Sequence, residues 1–335
     1  MINLGQIGAG IWGQNLLRNF FNARDCTVKI CCDRNKSALE IIRRNYHDNI
    51  KLTDSFDALL KESNLDAVVV ATLPATHAHF AIKALSKGKH VFVEKPLALK
   101  LEDAKEMLRV AKRKKRILMV GHLLLYHPAI QKLKTYIREG ALGDIQYIYS
   151  TRVNLGQVRA EENALWSLTS HDISVAMYFT ENKPYQVQAT GKSYIRSHIQ
   201  DVVFVNLNFK NNVIAHIHAS WLDPHKMRKF TIVGSKKMAV FDDMESSEKI
   251  RIYDKGFDWQ KNTGTYETFL TLREGDIHIP KIDMVEPLKL ECQHFIDCIN
   301  RNRQPLSDGN NGLEVLEVLN AAHNSLIKNG KAVKI

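Results

Sequence analysis

The chain contains 335 residues, of which 44% are hydrophobic and 25% are charged, and 47 Lys and Arg against 36 Asp and Glu give a formal net charge of +11. This length predicts two domains or one large one, at roughly 100–200 residues per domain, and the apolar fraction excludes a mainly disordered chain. Charges interrupt every apolar run, which excludes a membrane span of about 20 residues. We expect no export signal, because MINLGQIGAG has no basic region leading into an apolar segment.

Five cysteines in a chain of this length do not make a disulfide framework, and none of them lies in a CxxC or metal-binding spacing. We therefore expect buried thiols in a cytoplasmic protein without a metal site. The surplus of positive charge indicates an anionic partner. At this point the partner could be nucleic acid, a membrane surface or a phosphorylated small molecule.

Short strand-like runs alternate with helical stretches up to Gly121. The strand-like runs are Ile2–Ile7, Thr27–Cys32, Ala67–Ala71, His90–Glu94 and Ile117–Gly121, and the helical stretches include Ile11–Phe21, Ser55–Lys61 and Leu101–Arg113. The third run is apolar at consecutive positions, which indicates burial on both faces, as in a parallel sheet. This alternation predicts an α/β fold with a doubly wound parallel sheet.

The second half of the chain has a different pattern from about Gly143 onwards. Its strand-like runs are Ile145–Tyr149, Val202–Phe209, Val213–Trp221 and Phe230–Val233, and two helical patterns, Leu288–Asn300 and Leu313–Ile327, close the chain. Few helices separate these strands, which favours an α+β domain with a large, mainly antiparallel open sheet. We therefore predict a Rossmann domain over residues 1–122 and a substrate-binding and oligomerisation domain over residues 123–335.

A glycine-rich turn follows the first predicted strand and opens the first helix. Gly8-Ala-Gly10-Ile11-Trp12-Gly13 is a GxGxxG motif, in which the first glycine allows the turn, the second admits a pyrophosphate and the third lets helix and strand pack closely. Asp33 lies at the end of the second strand, where its carboxylate would accept hydrogen bonds from an adenosine ribose. This spacing predicts NAD rather than NADP, although the neighbouring Arg34 could pair with a 2′-phosphate.

Two further segments follow the carboxyl ends of predicted strands, where doubly wound sheets bind ligands. In the segment 71–77, Thr72 and Pro74 are expected to line the cofactor crevice, and His77 either lies beside it or caps the next helix. The second segment contains Glu94-Lys95-Pro96. Its position would bring an ammonium group to the edge of the sheet, near the nicotinamide.

Taken together, these motifs resemble the Gfo/Idh/MocA family of oxidoreductases over nearly the whole chain. The resemblance implies a nicotinamide-dependent sugar or polyol dehydrogenase that holds its substrate between the nicotinamide and the C-terminal sheet. It also implies that Lys95 lies near the reacting hydroxyl, and that the bond before Pro96 is often cis. It further implies a homodimer or homotetramer formed through the C-terminal sheets.

The family's second signature is a histidine on a helix of the C-terminal domain, usually four residues after an aspartate. Ser170-His171-Asp172 opens the apolar stretch 173–179, so the resemblance makes His171 the match. Ser167 stands where the aspartate is expected, which leaves the partner of His171 open. Our hypothesis is that Lys95 and His171 both reach the reacting hydroxyl, and which of them takes the proton stays open.

The segment from Gly121 to Ser167 resembles a subgroup that oxidises C3 of UDP-N-acetylglucosamine or its uronic acid, for amino sugars of bacterial cell-surface glycans, including lipopolysaccharide. This resemblance implies a nucleotide-sugar substrate. The expected substrate contacts are Lys95, Tyr126, His127, Arg152, Asn154, Arg159, Asn163 and His171. An arginine fork suits diphosphate oxygens, so Arg152 or Arg159 is expected to contact the substrate, with a surface role open for each.

Two other signals favour structural roles. His216 and His218 alternate on a predicted strand without a third metal ligand nearby, and the basic run 112–116 falls at a helix end, where cations complement the helix dipole. We therefore expect neither a nucleic-acid nor a membrane partner. Two alternatives for the function remain: a dehydrogenase of another sugar or an inositol-like polyol, and a non-catalytic NAD-binding regulator.

Overall fold

The computed structural model describes residues 1–156, 158, 162–261 and 268–335, and the chain divides into two compact units. Unit 1 comprises residues 1–127 and 285–317, and unit 2 comprises residues 128–284 and 318–335. The boundary predicted near residue 122 lies close to the first division. Residues 285–317, which the prediction includes in the second domain, pack instead within unit 1.

Unit 1 is built on a parallel sheet of six strands in its described residues. The strands are β1 (Ile2–Ile7), β2 (Cys26–Cys32), β3 (Lys51–Thr53), β4 (Ala67–Val70), β5 (His90–Glu94) and β6 (Leu118–Gly121). Their order is β3-β2-β1-β4-β5-β6, so the connections reverse direction between β1 and β4. This order confirms the predicted doubly wound α/β fold, in which ligands bind beyond the carboxyl ends of the strands at the point of reversal.

Helices follow most of these strands. They are α1 (Ile11–Phe21), α2 (Lys36–Tyr46), α3 (Phe56–Leu60), α4 (Pro74–Ser86) and α5 (Leu101–Lys114), with short 3₁₀ turns at His47–Asn49 and Leu123–Tyr126. The Asn35 side chain caps α2 by accepting from the amides of Ser37 and Ala38. The Ser55 hydroxyl accepts from the amide of Ala58 and caps α3, so both helices start where the polar side chain replaces a missing backbone partner.

Helix α8 (Pro287–Arg301) returns to unit 1 because it completes the hydrophobic core of that unit. The Phe295 ring lies 6.1 Å from the ring of Phe20 on α1 and 5.8 Å from the ring of Phe92 on β5, with edge-on geometry in both pairs. All three rings are fully buried. Such a cluster stabilises the unit both through apolar burial and through the favoured aromatic geometry.

Unit 2 contains a nine-stranded sheet across the described parts of the chain. The strands are β7 (Ile145–Val153), β8 (Gln186–Lys192), β9 (Val202–Asn208), β10 (Ile214–Ser220), β11 (Met227–Gly234), β12 (Met238–Asp242), β13 (Ile250–Lys261), β14 (Thr268–His278) and β15 (Val333–Lys334). Their order is β14-β13-β12-β11-β7-β10-β9-β8-β15. The pairing is antiparallel except between β7 and β10, which confirms the predicted mainly antiparallel sheet.

Among the described residues, two helices belong to unit 2, and a third is shared. Helices α6 (Pro128–Arg138) and α7 (Ala164–Thr180) lie in unit 2, and the last helix, α9 (Gly309–Ile327), contributes residues to both units. Helix α7 packs against β7, β9 and β10. No helix in the described part of the chain is both long and apolar enough to cross a membrane.

Candidate cofactor and active site

The loop between β1 and α1 has the geometry that its glycines predict. Gly8 has φ +101°, and a Cβ there would lie 2.2 Å from the Ala71 carbonyl oxygen, while a Cβ at Gly13 would lie 2.3 Å from the Gly8 carbonyl oxygen. At Gly10 an added Cβ would meet no atom within 4 Å. The loop is therefore closed on its inner side and open beside Gly10, where a phosphate would approach.

The start of α1 is available to an anion. Gly10 occupies the cap position without a side-chain hydrogen bond, and the first turn contains no acidic residue. Ile11 is 89% exposed and Trp12 is 43% exposed, so both residues predicted to touch the cofactor lie at the surface of the loop. The unshared amides and the helix dipole favour negative charge at this point, and the residues therefore fit the pyrophosphate of a dinucleotide.

Asp33 connects the glycine loop to the end of β2. Its Oδ2 atom accepts a hydrogen bond from the Ala9 amide at 2.6 Å, and its Oδ1 atom accepts from the Asn35 amide at 2.8 Å. A carboxylate has about four lone-pair directions, so two backbone bonds leave acceptor capacity for ribose hydroxyls. Arg34 is exposed beside it.

Asp33 and Arg34 both line a cleft of about 720 Å³ in unit 1. The cleft is lined by the carboxyl ends of β1, β2 and β4 and by the segments that follow them; it includes Gly8, Gly10, Asp54, Ser55, Phe56, Thr72, Thr76, His79 and Lys83. Its volume is that of a small-molecule site, and its position matches the ligand crevice of a doubly wound sheet. The sequence does not indicate that the residues after β3 line this cleft, because a three-residue edge strand leaves no clear periodic signal.

Thr72 lines this cleft and lies just before α4, whereas Pro74 and His77, in the first turns of α4, are not among the described residues that line it. The Thr72 and Thr76 hydroxyls are 2.7 Å apart, and Pro74 is the first residue of α4. His77 is buried, with Nδ1 2.8 Å from the Pro96 carbonyl oxygen and Nε2 3.0 Å from the Thr72 carbonyl oxygen. The imidazole therefore bridges the segment after β4 to the Glu-Lys-Pro segment, while burial lowers its pKa.

Glu94 is a buried carboxyl group at the end of β5. Trp12 Nε1 donates a hydrogen bond to Glu94 Oε1 at 2.6 Å, and the Lys95 amide donates to Oε2 at 3.1 Å. Burial raises the pKa of Glu94 to about 6, against the opposing effects of the Trp12 bond and the Lys95 charge. Through Trp12, this carboxyl group also orients the exposed start of α1.

Lys95 is half-buried, and the Lys95–Pro96 bond is cis. His122, which follows β6, is buried beside this lysine, and neither of its ring nitrogens has a hydrogen-bond partner among the described residues. Burial, and then the Lys95 ammonium, lower the pKa of His122 to about 3, so its imidazole is neutral. The sequence alone does not mark His122 as a site residue, although it follows the carboxyl end of a predicted strand.

The hydroxyl group of Tyr126 is hydrogen-bonded within unit 1. Its hydroxyl lies 2.8 Å from Ser307 Oγ and accepts a hydrogen bond from the Ser307 amide at 3.2 Å. Burial raises the pKa of this phenol. Its neighbour His127 is also buried. Both residues were expected at the sugar site, and that role remains a prediction.

In unit 2, the guanidinium of Arg152 binds the carboxylate of Asp172. Arg152 Nε donates to Asp172 Oδ2 at 2.6 Å, and Nη2 donates to Oδ1 at 3.2 Å. Ser150 Oγ donates to the same Oδ1 atom at 2.5 Å. This two-point ion pair joins β7 to α7, so two of the five N–H donors of Arg152 are used inside the unit.

His171 lies on a helix of unit 2, as the resemblance implies, in the middle of α7 and not at its start. The helix begins at Ala164, where the Asn163 side chain accepts a hydrogen bond from the Trp166 amide. Asn163 is buried and also donates to Gln200 Oε1 at 2.7 Å. This cap explains why α7 starts before the apolar stretch 173–179, because the Asn163 side chain accepts a hydrogen bond from an amide of the first turn.

The other expected substrate contacts in this region give less information. Asn154 is half-buried just after β7, and its amide donates to the Ser220 carbonyl at 3.2 Å. Arg159 lies outside the described residues. The described chain contains no group of three His, Cys, Asp or Glu side chains that could hold a metal. Of the two alternating histidines, His216 Nδ1 lies 2.8 Å from Asn206 Oδ1. The His218 ring stacks on the Phe204 ring, with 4.6 Å between the ring centroids.

The chain is similar to known proteins over both units. Residues 2–122 match the model of an oxidoreductase family with an NAD-binding Rossmann fold, GFO/IDH/MocA, and residues 130–240 match the model of the GFO/IDH/MocA C-terminal domain. The chain is 27% identical over 263 residues to UDP-N-acetylglucosamine 3-dehydrogenase of Acidithiobacillus ferrooxidans, a match that covers 78% of each protein. It is 28% identical over 270 residues to 2,7-anhydro-N-acetylneuraminate hydratase of Escherichia coli, covering 75% of this chain and 70% of that one.

Two solved structures share the fold at lower identity. The structure of the same A. ferrooxidans 3-dehydrogenase superposes with a TM-score of 0.81 at 23% identity, covering 98% of each chain. The scyllo-inositol dehydrogenase of Lactobacillus casei, with bound NAD(H) and scyllo-inositol, has a TM-score of 0.81 at 18% identity, covering 100% of this chain and 99% of that one. These likenesses establish the architecture of the chain.

Proposed function

The chain belongs to the GFO/IDH/MocA family of oxidoreductases, and we propose that it is an NAD-dependent dehydrogenase that oxidises the 3-hydroxyl of a UDP-N-acetylhexosamine to a 3-keto sugar. The observation that carries the redox function is the β1–α1 loop, which is closed at Gly8 and Gly13 and open at Gly10. The substrate is supported by similarity to a relative named UDP-N-acetylglucosamine 3-dehydrogenase.

We infer NAD rather than NADP from the surroundings of Asp33. The carboxylate ends β2 beside the glycine loop and retains acceptor capacity after binding two amides. It would accept ribose hydroxyls and repel a 2′-phosphate. Arg34 lines the same cleft and would partly offset that repulsion, so the preference rests on Asp33 being the more enclosed of the two.

Lys95 is the residue we propose as the base. Oxidation of an alcohol requires its hydroxyl proton to leave, and a bound, oxidised nicotinamide supplies the two-electron acceptor and a positive charge. A lysine ordinarily titrates near 10.4, and neighbouring positive charge favours its neutral form. In unit 1, neutral His122 adds no charge beside this lysine and the carboxylate of Glu94 favours its ammonium form, so the neutral form depends on the charge of the bound nicotinamide. His171 is proposed as the second group at the hydroxyl.

The test compares Lys95→Ala with Lys100→Ala, an exposed lysine that follows the same segment. We expect Lys95→Ala to bind NAD normally and to lose roughly 10²–10⁴-fold in the rate of NADH formation, the usual range for general acid–base catalysis. Lys100→Ala should retain the wild-type rate. Single-turnover measurement of bound NADH avoids an apparent inactivity caused by slow release.

The substrate panel for this assay is UDP-N-acetylglucosamine, its uronic acid and myo-inositol. An inositol-like polyol is the second candidate, supported by the shared fold with scyllo-inositol dehydrogenase. If NADH formed with inositol and with neither nucleotide sugar, the substrate would be the inositol-like polyol and not a UDP-N-acetylhexosamine. Wild-type turnover in Lys95→Ala would refute the role of the lysine, and absence of NADH with every substrate would refute the dehydrogenase.

A further inference from the structure

Unit 1 contains a second concave site, at the start of the edge strand β6 and away from the cofactor cleft at the carboxyl ends of β1, β2 and β4. The cavity has a volume of about 640 Å³ and is formed by the end of α5, the start of β6 and the segment that joins α8 to α9. Leu118, the first residue of β6, lines it. The cofactor cleft lies at the carboxyl ends of the strands, so an occupant of this cavity would not be the dinucleotide.

Cations dominate the lining of this cavity. The basic residues are Lys105, Arg109, Lys112, Lys115, Arg116 and Arg303, and Asp308 is the one acid among the described lining residues. Arg109 is paired with Glu106 at 2.6 Å, and Arg116 Nε donates to the Gly88 carbonyl. The other four basic residues are exposed and form no ion pair within the described chain.

Helix dipoles account for only part of this charge. Helix α5 ends at Lys114 and α8 ends at Arg301, so two helix C-termini lie near the cavity. Each carries about half a negative charge, which together offset about one cation. Asp308 offsets one further cation, although its Oδ1 accepts from the Asn311 amide at 2.9 Å and its Oδ2 from Asn310 Nδ2 at 3.0 Å. The cavity therefore keeps a surplus of positive charge.

We propose that this cavity binds a small anion that carries two or more phosphate groups. Its volume lies within the range of small-molecule pockets, and lysine and arginine are the usual phosphate donors of proteins. The described lining contains no aromatic side chain, so it offers no stacking platform for the bases of a single-stranded nucleic acid. The cations also converge on one concavity instead of following a groove.

The test titrates inorganic tripolyphosphate into the full-length protein saturated with NAD, so that the cofactor cleft is already filled. Binding is followed by calorimetry at low salt for the wild type, for Lys112→Gln/Lys115→Gln/Arg303→Gln, and for Arg24→Gln/Arg43→Gln/Arg44→Gln. The last variant removes the same charge from exposed positions elsewhere in unit 1. Should the cavity triple variant fail to fold, Lys112→Gln/Lys115→Gln replaces it.

We expect saturable binding to the wild type and a dissociation constant raised roughly fivefold for each cavity cation removed, as for unit charges in contact through water. The control variant should bind as tightly as the wild type. Equal weakening in both triple variants would show general attraction to a basic protein and overturn the proposal. Absence of saturable tripolyphosphate binding to the wild type would also overturn it. In a parallel titration, so would binding of single-stranded DNA alone that is weakened only in the cavity triple variant.

Discussion

At the scale of single residues, unit 1 buries two interacting carboxyl groups with different surroundings. Glu94 accepts two hydrogen bonds, whereas neither oxygen of Glu291 on α8 has a partner among the described residues. Burial, and then the charge of Glu94, raise the pKa of Glu291 well above its ordinary value. Two neighbouring buried carboxyl groups do not ionise together, so Glu291 holds a proton while Glu94 carries the charge.

The buried proton of Glu291 predicts a specific dependence of stability on pH. The unfolded glutamate releases its proton near 4.3, whereas the folded one retains it, so the wild-type protein loses up to about 1.4 kcal/mol per pH unit above that value until the folded pKa is reached. Glu291→Gln removes this loss. We expect the free energy of unfolding of the variant, relative to wild type, to rise by up to about 2.7 kcal/mol between pH 5 and pH 7.

Urea unfolding at pH 5, 6 and 7 measures this difference. Glu139→Gln, at an exposed glutamate just after α6, is the matched control and should show a constant difference from wild type. A difference that does not change with pH for Glu291→Gln would mean that the folded protein accommodates the charged carboxylate.

At the scale of secondary-structure elements, the local signals differ in how much they reveal. The parallel strands β1 and β5 have the predicted bounds, because continuous apolar runs between turn signals are local features. Helix α7 begins at Ala164, well before the apolar stretch 173–179 that indicates it in the sequence. Helix α7 is buried on nearly all sides, including Ser167, Thr169 and Ser170, so it lacks the polar face that makes a helix visible in a sequence.

Two substitutions in the β1–α1 loop distinguish its role in folding from its role in cofactor binding. Gly13→Ala would force a Cβ against the Gly8 carbonyl, and we expect a loss of at least about 1–3 kcal/mol of stability from overpacking. Gly10→Ala meets open space and should leave stability nearly unchanged. If the pyrophosphate approaches there, NAD affinity should fall about tenfold or more, the value of a lost charged hydrogen bond.

Thermal unfolding without ligand and NAD titration by fluorescence measure the two effects separately. Unchanged NAD affinity in a well-folded Gly10→Ala protein would place the pyrophosphate elsewhere. Normal stability of Gly13→Ala would show that α1 can move away from β1 at little cost.

At the scale of the whole molecule, the chain leaves the Rossmann unit at residue 127 and returns to it between residues 285 and 317. Unit 1 is therefore discontinuous in sequence, because residues 128–284 of unit 2 lie between its two segments. The positive charge of the chain, +11 in total, is also unevenly distributed. Basic residues of the segment 105–116 and Arg303 of the segment 285–317 line one cavity. That convergence exists only once α8 is docked.

The return of α8 predicts that its core residue stabilises unit 1. Phe295→Ala removes a fully buried ring from the cluster with Phe20 and Phe92, and we expect it to cost about 3–5 kcal/mol. Leu290→Ala, at a residue of the same helix that is 36% exposed, should cost much less. Equilibrium unfolding in urea compares the two variants. Equal, small losses would show that unit 1 folds without α8.

The amino-acid sequence by itself determined the doubly wound sheet, the glycine loop, the family and the position of Lys95 after β5. These follow from local signals, since periodicity, turn residues and motif spacing act over short stretches of chain. The tertiary structure decided that residues 285–317 join unit 1, that Arg152 binds Asp172, and that Trp12 binds Glu94. Each of these depends on contacts between residues far apart in the chain, and packing and burial select such partners only after the elements have assembled.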